Sequence, residues 1–394
     1  MLTSRFSEMQ AGINDNLLNK SRILIDSEKI NKYKSVSASQ VEVIEDPARQ
    51  LQIIVDAIQS ATQYICIEYY IIQNDSIGNA ILDLLVKKAS EGIKVYLIYD
   101  WYGSFRVNRS RLKKLTKSGG IVLSFSPFHL IFRFINPNLR NHRKLIIIDG
   151  KLAITGSANV GRKYQGKKHK EQNRDYIITL RGQVCEYLKS VFCLDWKFCI
   201  DEDLILPKTD SSPVPGKYLV QVIESGPHSS YENLHETIIN LINSATQSLC
   251  IASPYFIPSE PVMYALRLAC RKNVSVTILV PKRSDSRLVD YASRSFSREL
   301  VACGASIYQF ERRFLHSKMI IVDERYALLG TPNVDCRSFR LNFELSLLFD
   351  GEEVARRSHE IFQEDLKKSR RFLPIAGKWT LILENFLRIF SPQL

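Results

Sequence analysis

Apolar positions along the chain fall into two kinds of run, and the same succession of runs occurs twice. From Ala48 to Ala61 and from Asn233 to Ala245 they recur at amphipathic-helix spacing. Each run gives way to an apolar stretch of strand character, Tyr64–Ile71 and Ser248–Phe256. A second helical pattern follows in both places, Ile77–Glu91 and Pro261–Arg271, and then a second apolar strand, Lys94–Tyr99 and Val274–Val280. Alternation of this kind predicts an α/β sheet with helices on its faces in each half.

The halves share residues as well as pattern. QSATQYICI at Gln59–Ile67 returns as NSATQSLCI at Asn243–Ile251, an offset of 184, and both copies close a helix and open a strand. Between the halves, LPKTDSSPVPG (Leu206–Gly216) has linker composition. The expected organisation is an N-terminal segment (1–39), two similar domains (40–205 and 217–370) joined by 206–216 and related by a pseudo-twofold axis, and an apolar C-terminal tail (371–394).

At 394 residues the chain exceeds the size at which a single core keeps growing, in keeping with two domains. Its net charge of +13 suits an anionic partner, either nucleic acid or an acidic membrane surface, and is equally compatible with ordinary solvated surface charge. The 8 cysteines form no C-x-x-C pair and no ligand-like cluster with histidine, so reduced thiols in a cytoplasmic protein are expected. Residues Met1–Asn19 lack the apolar core of a secretory leader, and no apolar run is long enough to span a bilayer.

Chemistry enters with a second duplicated pattern, H-x-K-x4-D-x6-G-[ST]-x-N. NHRKLIIIDGKLAITGSANVG supplies His142, Lys144, Asp149, Ser157 and Asn159, and LHSKMIIVDERYALLGTPNVD supplies His316, Lys318, Asp323, Thr331 and Asn333. On an extended strand the histidine and lysine face the same side. The continuously apolar LIII and MIIV behind them read as central buried strands. Imidazole, ammonium, amide and hydroxyl groups gathered at such a strand end suit a phosphate, with Lys, Asn and the Ser157 or Thr331 hydroxyl donating to its non-bridging oxygens.

The paired H-x-K-x4-D copies resemble the signature of the phospholipase D superfamily, and the resemblance covers the chain from about residue 40. Further segments resemble bacterial cardiolipin synthases: RNHRK at Arg140–Lys144, SGP at Ser225–Pro227, SPYFIPSE at Ser253–Glu260, NVDCRSFRLNFE at Asn333–Glu344 and FSPQL at Phe390–Leu394. GTPN at Gly330–Asn333 replaces the more usual G-S-x-N but keeps a hydroxyl.

The resemblance implies two α/β/α sandwich domains with mixed sheets sharing one active site. It also implies phosphatidyl transfer through a phosphohistidine, with His142 as nucleophile and His316 as acid/base. No cofactor and no metal ligands are expected. Asp175, in NRDYIITL, and Glu344, in LNFELSLLF, are placed to pair with His142 and His316, or else simply open strands; Asp149 and Asp323 are assigned to hold the framework.

The expected partner is anionic phospholipid, phosphatidylglycerol, at a membrane surface on the cytoplasmic side of the bacterial inner membrane, with the protein peripheral and nucleic acid not expected. Hydrolysis of phospholipid headgroups is the alternative, and nuclease activity the next. Three segments could meet the membrane: the apolar stretch Pro127–Arg140, the basic run Arg162–Lys170 and the C-terminal stretch Ile375–Phe390. Each is equally compatible with an ordinary packed element or a solvated loop.

Overall fold

The computed structural model describes residues 20–125, 138–165, 172–207, 216–227, 232–375 and 377–389. Most of the linker, most of Pro127–Arg140, the second half of Arg162–Lys170 and all of FSPQL lie outside the described residues.

The strands in chain order are β1 Ser35–Ala38, β2 Gln40–Ile44, β3 Tyr64–Tyr69, β4 Lys94–Asp100, β5 Ile121–Phe125, β6 Arg140–Asn141, β7 Lys144–Ile148, β8 Leu152–Gly156 and β9 Ile177–Arg181, followed by β10 Tyr218–Ser225, β11 Ser248–Ala252, β12 Phe256–Ile257, β13 Ser275–Pro281, β14 Ser306–Phe310, β15 Met319–Val322, β16 Tyr326–Gly330, β17 Val334–Asp335, β18 Asn342–Asp350 and β19 Ser369–Arg371. One sheet runs β2-β9-β8-β7-β3-β4-β5. The other contains the same succession, β10-β18-β16-β15-β11-β13-β14, with β1 and β19 added at its edges.

Both sheets are mixed, as expected. β3, β4 and β5 are parallel, as are β11, β13 and β14, while the strands carrying the motifs run antiparallel to them. The segment ahead of the first domain contributes β1 to the sheet of the second half, where Ser35 lies opposite Gln221.

Local chemistry sets the helix starts. Asp46 accepts from the Arg49 amide, with Pro47 at the first helical position of Pro47–Ser60, and Asp75 accepts from the Ile77 and Gly78 amides to start Ser76–Ser90. The LIII and MIIV strands are buried on both faces, as their unbroken apolar character predicts. Leu145 and Ile147 enter one core and Ile146 and Ile148 another; Met319 and Ile321 alternate with Ile320 and Val322 in the same way. One core belongs to each half. The third spans both, filled from the first half by Leu188, Val191 and Phe192 and from the second by Leu345, Leu347 and Phe349. This shared core holds the motif strands of the two halves in fixed relation.

Candidate active site

The two repeats seen separately in the sequence meet in space. Asp149 accepts from the Thr62 amide and hydroxyl and from the Gln63 and Tyr64 amides at 2.7–2.8 Å. Asp323 repeats this with Thr246, Gln247 and Ser248 at 2.7–2.9 Å. The Thr-Gln of each SATQ segment and the residue that follows are thus the cradle of the motif aspartate. Burial pushes both carboxyls up, but these hydrogen bonds outweigh it and hold them below the ordinary aspartate range. Both residues belong to the framework rather than to the reacting groups, tying the helix-to-strand turn to the end of the motif strand.

The histidines do not lie on regular strand. Each stands just ahead of its motif strand, because its backbone pairs with the opposite half: the His142 amide donates to the Phe343 carbonyl (2.9 Å) and the His316 amide to the Arg174 carbonyl (2.9 Å). β6 accordingly pairs with the start of β18, and Arg174 bridges to Leu315. The histidine–carboxylate pairs therefore cross between halves. His142 Nδ1 lies 2.9 and 3.0 Å from the Glu344 carboxylate oxygens, and His316 Nδ1 lies 2.7 Å from Asp175.

The motif hydroxyls correct the sequence reading. Ser157 Oγ donates to Asp175 Oδ1 (2.6 Å) and accepts from the Tyr176 amide; Thr331 Oγ1 donates to Glu344 and accepts from the Leu345 amide. Both are fully buried and committed to the carboxylates, so they position the orienting groups instead of holding phosphate. The glycine before each hydroxyl lets the carboxylate-bearing chain approach. A Cβ on Gly156, whose φ is +139°, would stand 2.6 Å from the Tyr176 carbonyl oxygen, and one on Gly330 would stand 2.3 Å from that of Leu345. Asn159 and Asn333 are also engaged in the framework, Asn159 accepting from the Ile71 amide and Asn333 donating to Asp335.

Lys144 and Lys318 each donate back to the carbonyl of the histidine two residues earlier, at 2.5 and 2.6 Å. Each lysine acts electrostatically on the histidine of the other motif as well as its own, so the two motifs form one site. Burial drives His142 down to about 3 and His316 down to about 4; the partner carboxylates oppose this and the lysines add to it. Burial would raise Glu344 and Asp175, but the adjoining histidines and lysines hold both low, Glu344 at about 2. Burial lowers Lys318 to about 8, and burial together with the Lys318 charge holds Lys144 well below the ordinary lysine range. The resting pattern is two neutral imidazoles whose Nδ1–H groups face ionised carboxylates, leaving Nε2 as the available ring nitrogen, beside two closely placed lysines whose hold on their protons a bound anion would strengthen.

A family model described as "Cardiolipin synthase, PLD-like domain" matches residues 54–196 and 238–366, so both motifs fall within it. The chain belongs to this family. It is 39% identical over 375 residues to a cardiolipin synthase of Alkalihalophilus pseudofirmus, covering 93% of this chain and 74% of that one. It is 35% identical over 363 residues to a probable cardiolipin synthase of Bacillus subtilis, covering 90% and 72%. Among solved structures, a phosphatidylserine synthase of Haemophilus influenzae superposes with a TM-score of 0.70 at 15% identity over 93% of this chain and 97% of that one, a likeness of fold.

This cardiolipin synthase-family site contains groups that the sequence reading missed. Arg143, in the quoted RNHRK, is fully buried and donates to Asp195 (2.5 Å), Glu224 (2.8 Å), the Ser225 carbonyl (3.0 Å) and the Glu344 carbonyl (3.1 Å). Its position between histidine and lysine was the available signal. Tyr70 sets its ring edge-on to His142 at 5.0 Å, while Tyr164 and Phe314 flank His316, each at 5.9 Å. Tyr176 spans the halves, its hydroxyl donating to the Lys318 carbonyl and accepting from the Gly330 amide. Nothing in the local sequence distinguishes these aromatics from core residues.

Proposed function

We propose that the protein transfers a phosphatidyl group from one phosphatidylglycerol to a hydroxyl of a second, giving cardiolipin and glycerol. What supports this reading is the presence, in one site, of two imidazoles each held at Nδ1 by a buried carboxylate with a lysine beside it. The phosphodiester anion enters between Lys144 and Lys318 and draws both lysines and one imidazole toward their charged forms. His142 Nε2 attacks phosphorus; the bond to the glycerol oxygen breaks as His316 Nε2–H protonates it. Glycerol leaves, the second lipid's hydroxyl gives its proton to His316, and its oxygen displaces His142 from phosphorus. Ionised Glu344 and Asp175 stabilise the positive charge that each ring carries in turn.

The lipid substrate places the enzyme at a membrane, peripherally on the cytoplasmic face in our reading. Among the described residues no helix is long and apolar enough to cross a bilayer. Mass spectrometry of products from purified protein and phosphatidylglycerol vesicles tests the proposal. Cardiolipin and glycerol are expected; phosphatidic acid without cardiolipin would replace the transferase reading with a hydrolase.

A further inference from the structure

The helix Lys378–Ile389 is mounted with its polar side inward. Glu384 is 1% exposed and pairs with Arg298, Asn385 accepts from Ser295 (3.0 Å), and Arg388 donates to Glu299 (2.6 Å) and lies 4.3 Å over the Phe296 ring. All these partners sit on one neighbour, the helix Arg287–Ala302. Most of the apolar residues point outward, Leu381 and Leu387 being half-buried: Trp379 is 85% exposed, Ile389 71% and Ile382 58%, and Ile375 just ahead is 85% exposed. A helix that packed for core burial would show the reverse arrangement. The ion pairs fix it in this orientation and leave a dense apolar face outside.

We propose that this face is the element by which the enzyme lies on a bilayer containing anionic phospholipid. Charge favours that occupant over a second copy of the chain. Lys367, Lys368, Arg370, Arg371 and Lys378 are exposed along the approach to the helix and at its first turn, on a chain of net charge +13. They repel a like-charged copy and attract an acidic leaflet. Tryptophan beside lysine at the rim of an apolar face is also the composition of an interfacial helix.

The supporting helix begins two residues after Asp285, which accepts from the Tyr255 hydroxyl (2.8 Å) and acts electrostatically on Lys318. The docking face is therefore joined by one helix to the wall of the catalytic site. This inference does not depend on which alcohol accepts the phosphatidyl group.

The test is flotation of the full chain with vesicles of mixed phosphatidylglycerol and phosphatidylcholine and of phosphatidylcholine alone, with mass measured by light scattering. The triple variant Trp379→Ser, Ile382→Ser, Ile389→Ser should bind the mixed vesicles about a hundredfold more weakly. Its mass and its turnover of a water-soluble phosphodiester should be unchanged. Equal binding of variant and parent, equally tight binding of the parent to phosphatidylcholine alone, or a halved mass in the variant would overturn the proposal. A variant that failed to fold would be replaced by Trp379→Phe. Brominated-chain phosphatidylglycerol should quench tryptophan fluorescence in the parent and much less in Trp379→Phe, and equal quenching in the two would overturn the proposal equally.

Discussion

The crossed pairing separates the chemical duties of two carboxylates that sequence alone treats as equivalents. If His142 attacks and His316 protonates, Glu344→Gln damages the attack and Asp175→Asn damages departure of the alcohol. A charge-assisted hydrogen bond of this kind is worth about 1.5–3 kcal/mol, roughly ten- to 150-fold in rate, and loss of the oriented tautomer raises the cost toward ~10⁴-fold. The structure makes the two changes unequal. Glu344 accepts from Asn342 Nδ2 on one oxygen and from Thr331 on the other, so a glutamine meets a donor with its own NH2 in either orientation. Asp175 Oδ2 has no hydrogen-bond partner among the described residues, so asparagine can place its NH2 there and still accept from His316 and Ser157.

The assay compares a natural glycerol leaving group with a nitrophenol ester, which departs without a proton. Asp175→Asn should lose about two to three orders of magnitude on the natural diester and recover most of it on the activated one, as expected for loss of general-acid assistance. Glu344→Gln should lose more than Asp175→Asn and recover little. Recovery by Glu344→Gln instead, or equal recovery in both, would refute the assignment of roles.

Three further outcomes follow from the same geometry. Asp149→Ala should lower unfolding free energy by about 3 kcal/mol in denaturant titrations, since several donors lose a charged acceptor, while turnover per folded molecule stays within about tenfold. Arg143→Met should be more damaging, about 3–5 kcal/mol, because it strands the buried carboxylates of Asp195 and Glu224; a Tm within a few degrees of the parent would contradict the ion-pair reading. The unliganded protein should lose stability as pH falls below about 6.5, since unfolded histidines take up protons that folded His316 and His142 refuse down to about 4 and about 3. Inorganic phosphate should offset that loss in thermal melts, and stability that instead rose on acidification through this window would contradict the buried neutral pair.

The repeated α/β alternation of the two halves was legible because apolar runs and the duplicated SATQ segments record it directly; the strand order within each sheet was not. The motif histidines, lysines and aspartates were legible as a pattern, because the duplication repeats their spacing residue for residue. What stayed hidden in the site depends on contacts across the pseudo-twofold. Asp175 and Glu344 could be found as carboxylates opening apolar strands, but their crossing to the opposite histidine follows from β6 pairing with β18 and Arg174 bridging to Leu315, which no local pattern encodes. Ser157 and Thr331 looked like phosphate donors because a hydroxyl beside asparagine fits an anion. Folding instead commits the single proton of each hydroxyl to a buried carboxylate, Asp175 or Glu344.

One difference between the copies bears on which histidine forms the covalent bond. At the position after the histidine, the first motif has Arg143 and the second has Ser317. Arg143 clamps the Glu344 backbone and draws in Asp195 from the first half and Glu224 from the second, whereas the Ser317 hydroxyl donates to the Arg174 carbonyl at 3.0 Å. Glu344 is in turn held by Thr331 and Asn342, whereas among the described residues the Asp175 carboxylate is held by Ser157 and its histidine. The His142–Glu344 pair is thus the more rigidly supported of the two. A nucleophile keeps one geometry through attack, covalent intermediate and displacement, and a misplacement of a fraction of an ångström costs it rate. An acid/base needs only to exchange a proton with two alcohols in succession. The heavier buttressing on the first motif therefore favours His142 as the group that bonds to phosphorus, on grounds independent of its place in the sequence.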